Sequence, residues 1–324
     1  MNQFPAVLIV TQNRFENVKI LLDKILKSEG VRLYIAIDGP KNLDEKYKAN
    51  ILEFNKYLNM IRLNMKVQIK VWERQNNLGL ACSMITAIDW FFAQEAKGII
   101  LEDDLSLSDE FLNYANKALI HFQEHKEVLS ISGNQFFTQT NNHNDLYTCM
   151  YPLIWGWATW CDRWHKFRKT LNDGNILERK VRLKISTRFF LEFGCQRSIS
   201  CKNNSWAILF ATYSRFQGYQ SILPNVNLVT NLGNDIYATN TISEHWTLNR
   251  KIADSYSPSF ESSSKIDVTA LVENKIYGIS NRHIFLAIKV LYLQVLITLN
   301  GTSNQLNDKL SNIKIPEINN SYES

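Results

Sequence analysis

The stretch Gly98-Ile99-Ile100-Leu101-Glu102-Asp103-Asp104 decides the fold. Gly98 to Leu101 is a short apolar run, suited to a strand buried on both faces, and it stops abruptly at three consecutive carboxylates. Upstream, the same kind of run recurs between helical patterns. Ala6 to Val10 reads as a buried strand. Asn13 followed by Glu16 reads as a capping-box start for a helix whose apolar stripe is Val18, Leu21, Leu22, Ile25 and Leu26. Val31, Leu33, Ile35 and Ile37 alternate like a second strand ending at Asp38-Gly39-Pro40, and Val67, Ile69 and Val71 repeat the pattern. A long helix is expected between those two strands. Another is expected from the loop Asn76-Asn77-Leu78-Gly79 to about Gln94.

Strands alternating with helices predict an α/β fold, here a doubly wound, Rossmann-like, mostly parallel sheet with helices on both faces. In such sheets ligands bind beyond the carboxyl ends of the strands. Arg14, Asp38, the Asn76 loop and Asp104 are therefore expected at one crevice. The second half is less regular. Thr138 to Asp145 reads as a loop, Tyr151 to Trp164 carries four tryptophans, and a helix from about Ser205 to Phe216 precedes strand-like Tyr219 to Leu223. The expected organisation is a nucleotide-binding half over 1–135, an acceptor and catalytic half of the same domain over 136–250, a helical extension over 251–300 and a disordered tail over 301–324.

The 324 residues are 45% hydrophobic and 21% charged, an ordinary globular balance. The net charge of +5 comes from Lys and Arg spread along the chain rather than gathered in a long block, which sets aside a nucleic-acid partner. Five cysteines without a CxxC pair read as reduced thiols, and Ala6 to Val10 is too short for a signal peptide, so a cytoplasmic protein is expected.

Three adjoining carboxylates raise one another's pKa unless a cation compensates them, and Mg²⁺ or Mn²⁺ binds through one or two carboxylates plus substrate phosphate oxygens. Against this stands a helix start, with Asp104, Ser106 or Ser108 as the cap. Arg14 is suited to a diphosphate. Asp38 is suited to a uracil N–H or a ribose hydroxyl, and equally to an ordinary Asp-Gly turn. Trp155, Gly156, Trp157, Trp160 and Trp164 are suited to an aromatic wall under an acceptor sugar, or to the core.

In order and spacing, these pieces form a recognisable set: Val10-Thr11-Gln12-Asn13-Arg14, Asp38, Asn77-Leu78-Gly79-Leu80, Ile99 to Asp104, Trp155 to Trp160 and Leu223 to Val229. From about Ala6 to Thr241 the chain resembles the bacterial relatives of N-acetylglucosaminyltransferase I, inverting glycosyltransferases of the GT-A fold that use a nucleotide-sugar donor and Mn²⁺. The resemblance implies that Asp104 ligates the metal, Mn²⁺ or Mg²⁺. It implies a UDP-sugar donor held by Arg14, Asp38, Glu102 and Asp103, with Asp103 on the ribose and Asp38 on the uracil. It implies an acceptor, a glycan or a lipid-linked sugar, at Trp155, Gly156 and Trp157, and transfer of a sugar such as N-acetylglucosamine in surface polysaccharide synthesis.

The chain departs from that pattern where a carboxylate base is expected after Trp206, because Ala207 stands there and cannot accept a proton. Asn240 also stands where relatives carry His. Asp235 and Glu244 are the nearest substitute bases, with His245 behind them. The alternative is a catalytically impaired donor- or glycan-binding homologue, and a nucleotidyltransferase ranks third because no Gly-rich phosphate loop with a downstream Lys is present. The apolar run Ile284 to Leu299 suits a buried helix or peripheral contact with the inner face of the plasma membrane.

Overall fold

A computed structural model of the chain describes residues 4–41, 45–65, 67–137, 145–199, 205–232, 250–258, 260–261, 265–279, 285 and 288. Its centre is a parallel quartet of strands. β1 (Ala6–Thr11) lies between β2 (Arg32–Ile37) and β4 (Lys97–Glu102), and β3 (Gln68–Glu73) flanks β2. All six residues of β1 are buried. Since successive side chains point to opposite faces, both faces are covered. That is why β1 and β4 read as unbroken apolar runs, whereas β3, at the sheet edge, buries only Ile69 fully and reads as an alternation. The doubly wound, mostly parallel expectation holds.

The crossovers are helical: α1 (Phe15–Ile25), α2 (Glu45–Met65) and α3 (Leu80–Phe92). α1 buries Val18, Leu21, Leu22 and Ile25 of the expected stripe, while Leu26 is the half-buried C-cap, and Phe15 stacks on Phe54 of α2 with ring centroids 4.8 Å apart. The capping-box expectation is corrected. The N-cap is Arg14, with no side-chain cap bond, and the helix begins at Phe15, one residue later than an Asn13 cap would place it.

Beyond β4 come β5 (Leu105–Leu107), α4 (Phe111–His121), β6 (Val128–Ser132), β7 (Leu146–Cys149) and β8 (Trp157–Trp160). They are followed by α5 (Cys161–Asn172), α6 (Ile185–Ile199), α7 (Ala207–Gln217), β9 (Gln220–Pro224) and β10 (Val229–Asn231). Nine strands, the last being β11 (Lys265–Asp267), form one sheet in the order β11-β7-β9-β6-β8-β4-β1-β2-β3, while β5 and β10 make a separate antiparallel pair. β8 is antiparallel to both β4 and β6, so the sheet runs without a break from the first half of the chain into the second. At its far edge β11 (Lys265–Asp267) adds parallel to β7, and a short α8 (Thr269–Leu271) and a π turn (Val272–Ile276) follow. Glu273 of that turn is buried, accepting from the Tyr151 hydroxyl at 2.9 Å and from Arg215 Nε at 3.0 Å.

The four tryptophans form no open wall. Trp155, Trp157, Trp160 and Trp164 are each at most 2% exposed. Trp157 stacks on Trp206 at 5.8 Å and meets Phe210 at 5.2 Å, so the run packs α5 and α7 onto the sheet. No described helix is long and apolar enough to cross a membrane. Of the run Ile284 to Leu299, Phe285 and Ile288 fall within the described residues, 72% and 56% exposed, and the rest lies outside them.

Candidate functional site

The carboxyl ends of β1, β2, β3 and β4 release the chain at one edge of the sheet, and the polar residues that follow them converge there. β1 ends at Thr11, whose hydroxyl donates to Asp103 Oδ2 at 2.6 Å. Three residues on, Arg14 Nη1 donates to Asp103 Oδ1 at 3.1 Å and to Asp104 Oδ2 at 3.3 Å. A single guanidinium nitrogen thus ties together the two carboxylates that follow β4.

All three acids are buried, with Glu102 at 9%, Asp103 at 8% and Asp104 at 4% exposure. Burial, then the neighbouring Asp104 and Asp103 charges, pushes Glu102 well above the usual carboxylate range. Burial also raises Asp103, against the pull of Arg14 and Thr11. Asp104 rises to about 6, through burial first and the Asp103 charge second, with Arg14 and the Asn231 side chain opposing. One guanidinium does not offset three desolvated carboxylates. Asp104 Oδ1 is buried and takes no hydrogen bond from the protein.

The helix-cap alternative for Asp104 fails. Asp104 leads into strand β5, and α4 starts only at Phe111, after the Ser108 hydroxyl accepts the Glu110 N–H at 3.3 Å. β10 pairs with β5 so that Asn231 lies opposite Leu105, and the Leu232 N–H donates to the Asp104 carbonyl at 2.8 Å. The Leu232 bond holds the Asp104 backbone, separately from the Arg14 bond to its carboxylate.

Asp38 follows β2 and is 4% exposed. Its N–H donates to the Thr11 carbonyl at 2.8 Å, joining the ends of β1 and β2. Its carboxylate accepts from Asn77 Nδ2 at 3.0 Å and from the Leu78 N–H at 3.1 Å, while Arg74 Nη1 stands 4.0 Å away. Asp38 therefore fastens the Asn76-Asn77-Leu78-Gly79 loop. Asn77 also donates to the Gly39 carbonyl at 2.8 Å, and a side chain at Gly39 would collide with the carbonyl of Asn76.

Trp157 opens β8 opposite Ile100, two positions before Glu102, so Trp155 and Gly156 sit at the same sheet edge as the acids. Gly156 has φ of +59°, in the region that favours glycine. The close approach it permits is to Val229 and to Gly133, whose N–H meets its carbonyl at 2.7 Å. That is an internal contact, distinct from the sugar approach expected of it. Ala207 begins α7 next to Trp206 and is partly exposed. Asp235, Asn240, Glu244 and His245 lie outside the described residues.

In the sequence Thr11 and Asn77 have no separate role, although both lie within its motifs, and there is no sign of Asn231. Thr11 carried a signal, a hydroxyl closing an otherwise apolar strand. Asn77 and Asn231 meet Asp38 and Asp104 only through long-range folding.

No family profile matches the chain, and no curated protein matches it. Among solved structures it is similar to the glycosyltransferase GlyE of Streptococcus pneumoniae TIGR4 at 10% identity and a TM-score of 0.34, covering 68% of this chain and 45% of that one. The chain thus spans under half the length of that protein. A UDP-glucose pyrophosphorylase complexed with UDP-glucose overlaps at 11% identity and a TM-score of 0.39, covering 68% and 90%. A Bacillus anthracis structure titled as a glucose-1-phosphate thymidylyltransferase overlaps at 9% and 0.34, covering 70% and 89%. Likeness this loose carries no argument about the site.

Proposed function

We propose that the chain is a nucleotide-sugar-dependent glycosyltransferase, moving a sugar from a UDP-sugar to a glycan or lipid-linked acceptor with inversion. The observation that carries this is the buried Glu102-Asp103-Asp104 run at the carboxyl edge of β4, with Asp104 Oδ1 left without a partner. An unsatisfied carboxylate oxygen in a buried acidic cluster is costly unless a cation or a ligand donor meets it. The donor set is oxygen only, which suits Mn²⁺ or Mg²⁺, and Asp104 would hold the ion. Among the described residues no cluster of three His, Cys, Asp or Glu side chains is arranged around a metal position, so the remaining ligands would be water and diphosphate oxygens. When bound, such an ion neutralises charge on the departing nucleoside diphosphate.

The protein's own groups have separable tasks. Arg14, already fixed by Asp103 and Asp104, presents a guanidinium beside the diphosphate position. Asp103, oriented by Thr11, accepts from a ribose hydroxyl. Asp38 reads uracil at the loop it fastens, and buried side chains around the acids exclude water.

A second reading, a donor-binding homologue without transfer, is favoured by Ala207, which places a methyl group where a proton acceptor is expected. Calorimetric titration with UDP and UDP-N-acetylglucosamine, with and without Mn²⁺, tests the donor site. Metal-dependent binding abolished by Asp104→Ala supports it, and absence of any binding refutes it. Hydrolysis or transfer assays on the wild type and Ala207→Asp then separate the two readings, since only the impaired homologue gains turnover from the substitution.

A further inference from the structure

Between α5 and α6 the chain reads Glu178-Arg179-Lys180-Val181-Arg182-Leu183-Lys184-Ile185. Arg179, Lys180, Arg182 and Lys184 are all exposed. Along the sequence they look like part of a dispersed basic excess. In the fold they stand apart, because none of the four side chains makes a hydrogen bond or ion pair among the described residues. Three of the basic side chains on either side are paired: Lys169 with Asp173, Arg168 with Asp89, and Arg188 with Glu192.

The strip is held in place rather than hanging free. The Lys180 N–H donates to the Phe216 carbonyl at 2.8 Å, and Gln217 Nε2 donates to the Glu178 carbonyl at 2.9 Å, fixing it against the end of α7. It also leads directly into the N-terminus of the 15-residue α6, whose first turn carries no acid. Cations there add to the positive end of the helix dipole and work against local stability. A patch that the protein neither neutralises nor places favourably for itself is suited to an external anion.

The residues between the cations narrow the partner. Val181 and Leu183 are half-buried, and Ile185 is 60% exposed, so apolar side chains interleave with the charges. A soluble polyanion makes no use of an exposed isoleucine. A bilayer surface uses both, with headgroups for the cations and the acyl boundary for the apolar side chains.

We propose that residues 179–185 are a docking strip for an anionic lipid surface. This is independent of the donor site, whose residues take no part in it. Each Lys or Arg near an anionic bilayer strengthens binding about five-fold, so four together are worth several-hundred-fold at low salt. The test is co-sedimentation of the full chain with vesicles of phosphatidylglycerol and phosphatidylcholine, against phosphatidylcholine alone, in 50 mM and 500 mM salt. Wild type is expected to bind the anionic vesicles only and to lose most binding at high salt. Arg179→Gln, Lys180→Gln, Arg182→Gln and Lys184→Gln combined should weaken binding at least a hundred-fold, with an unchanged circular dichroism spectrum.

A control carrying Lys46→Gln, Lys48→Gln, Lys56→Gln and Lys117→Gln should bind far more tightly than that variant, and Ile185→Ser alone should weaken binding several-fold. The proposal is overturned if wild type ignores lipid charge, if the control loses as much as the strip variant, or if the strip variant binds as tightly as wild type. It is equally overturned if Ile185→Ser binds like wild type and soluble polyphosphate displaces the vesicles, which would make the partner a polyanion.

Discussion

Asp104→Asn should make the metal-free protein more stable while destroying its proposed metal-dependent donor binding. The substitution keeps the shape and the contact to Asn231, and it removes one charge from a cluster in which Arg14 still pairs with Asp103. Burial and Asp103 raise the Asp104 pKa from an ordinary 3.8 to about 6. At ~1.4 kcal/mol per pH unit, holding that carboxylate ionised in the fold costs about 3 kcal/mol.

The direction follows from linkage. A carboxyl whose folded pKa lies above its unfolded one binds its proton more readily in the folded state. Stability is therefore highest below about pH 4 and falls as pH rises through about 6. Asn carries no such loss. Urea unfolding at pH 7.5 in chelator should show Asp104→Asn more stable by up to about 3 kcal/mol, with the advantage shrinking to about 1 kcal/mol near pH 4.5 and toward zero below about pH 3.5. A variant less stable than wild type at pH 7.5, or a difference that does not change with pH, would refute the account of Asp104 as a strained, uncompensated charge.

Trp157→Ala should cost about 3–5 kcal/mol by leaving a cavity against Trp206 and Phe210, read as a lower urea midpoint; a loss below 1 kcal/mol would return Trp157 to the acceptor wall. Gly39→Ala should drive the Asp38 turn away from Asn76, with a loss of about 1–3 kcal/mol in thermal unfolding and weaker UDP binding by titration. Iodoacetamide should alkylate exposed Cys82 first, whereas Cys149 and Cys195, buried and pushed up to about 12, should react only on unfolding, as peptide mass spectrometry will read.

The parallel quartet was legible because β1 and β4 are buried on nearly every residue, which writes continuous apolar runs into the chain, and because β2 and β3 carry branched apolar residues at every second position. α1 was legible because its buried residues recur at helical spacing. β7, β8 and the β5–β10 pair are three or four residues long, and their pairing partners lie up to 126 positions away, as Asn231 opposite Leu105 shows. Elements this short have no period of their own to read, and the long-range ladder decides them.

What the sequence determined by itself is the α/β class and the placement of Glu102, Asp103 and Asp104 at a strand's end, because both follow from local hydrophobic pattern. Tertiary structure alone decided that Arg14 bridges Asp103 and Asp104, that Asp38 holds Asn77 and Leu78, and that the tryptophans face inward. Burial, pairing and ionisation depend on neighbours distant in the chain, and only the packed fold brings those neighbours together.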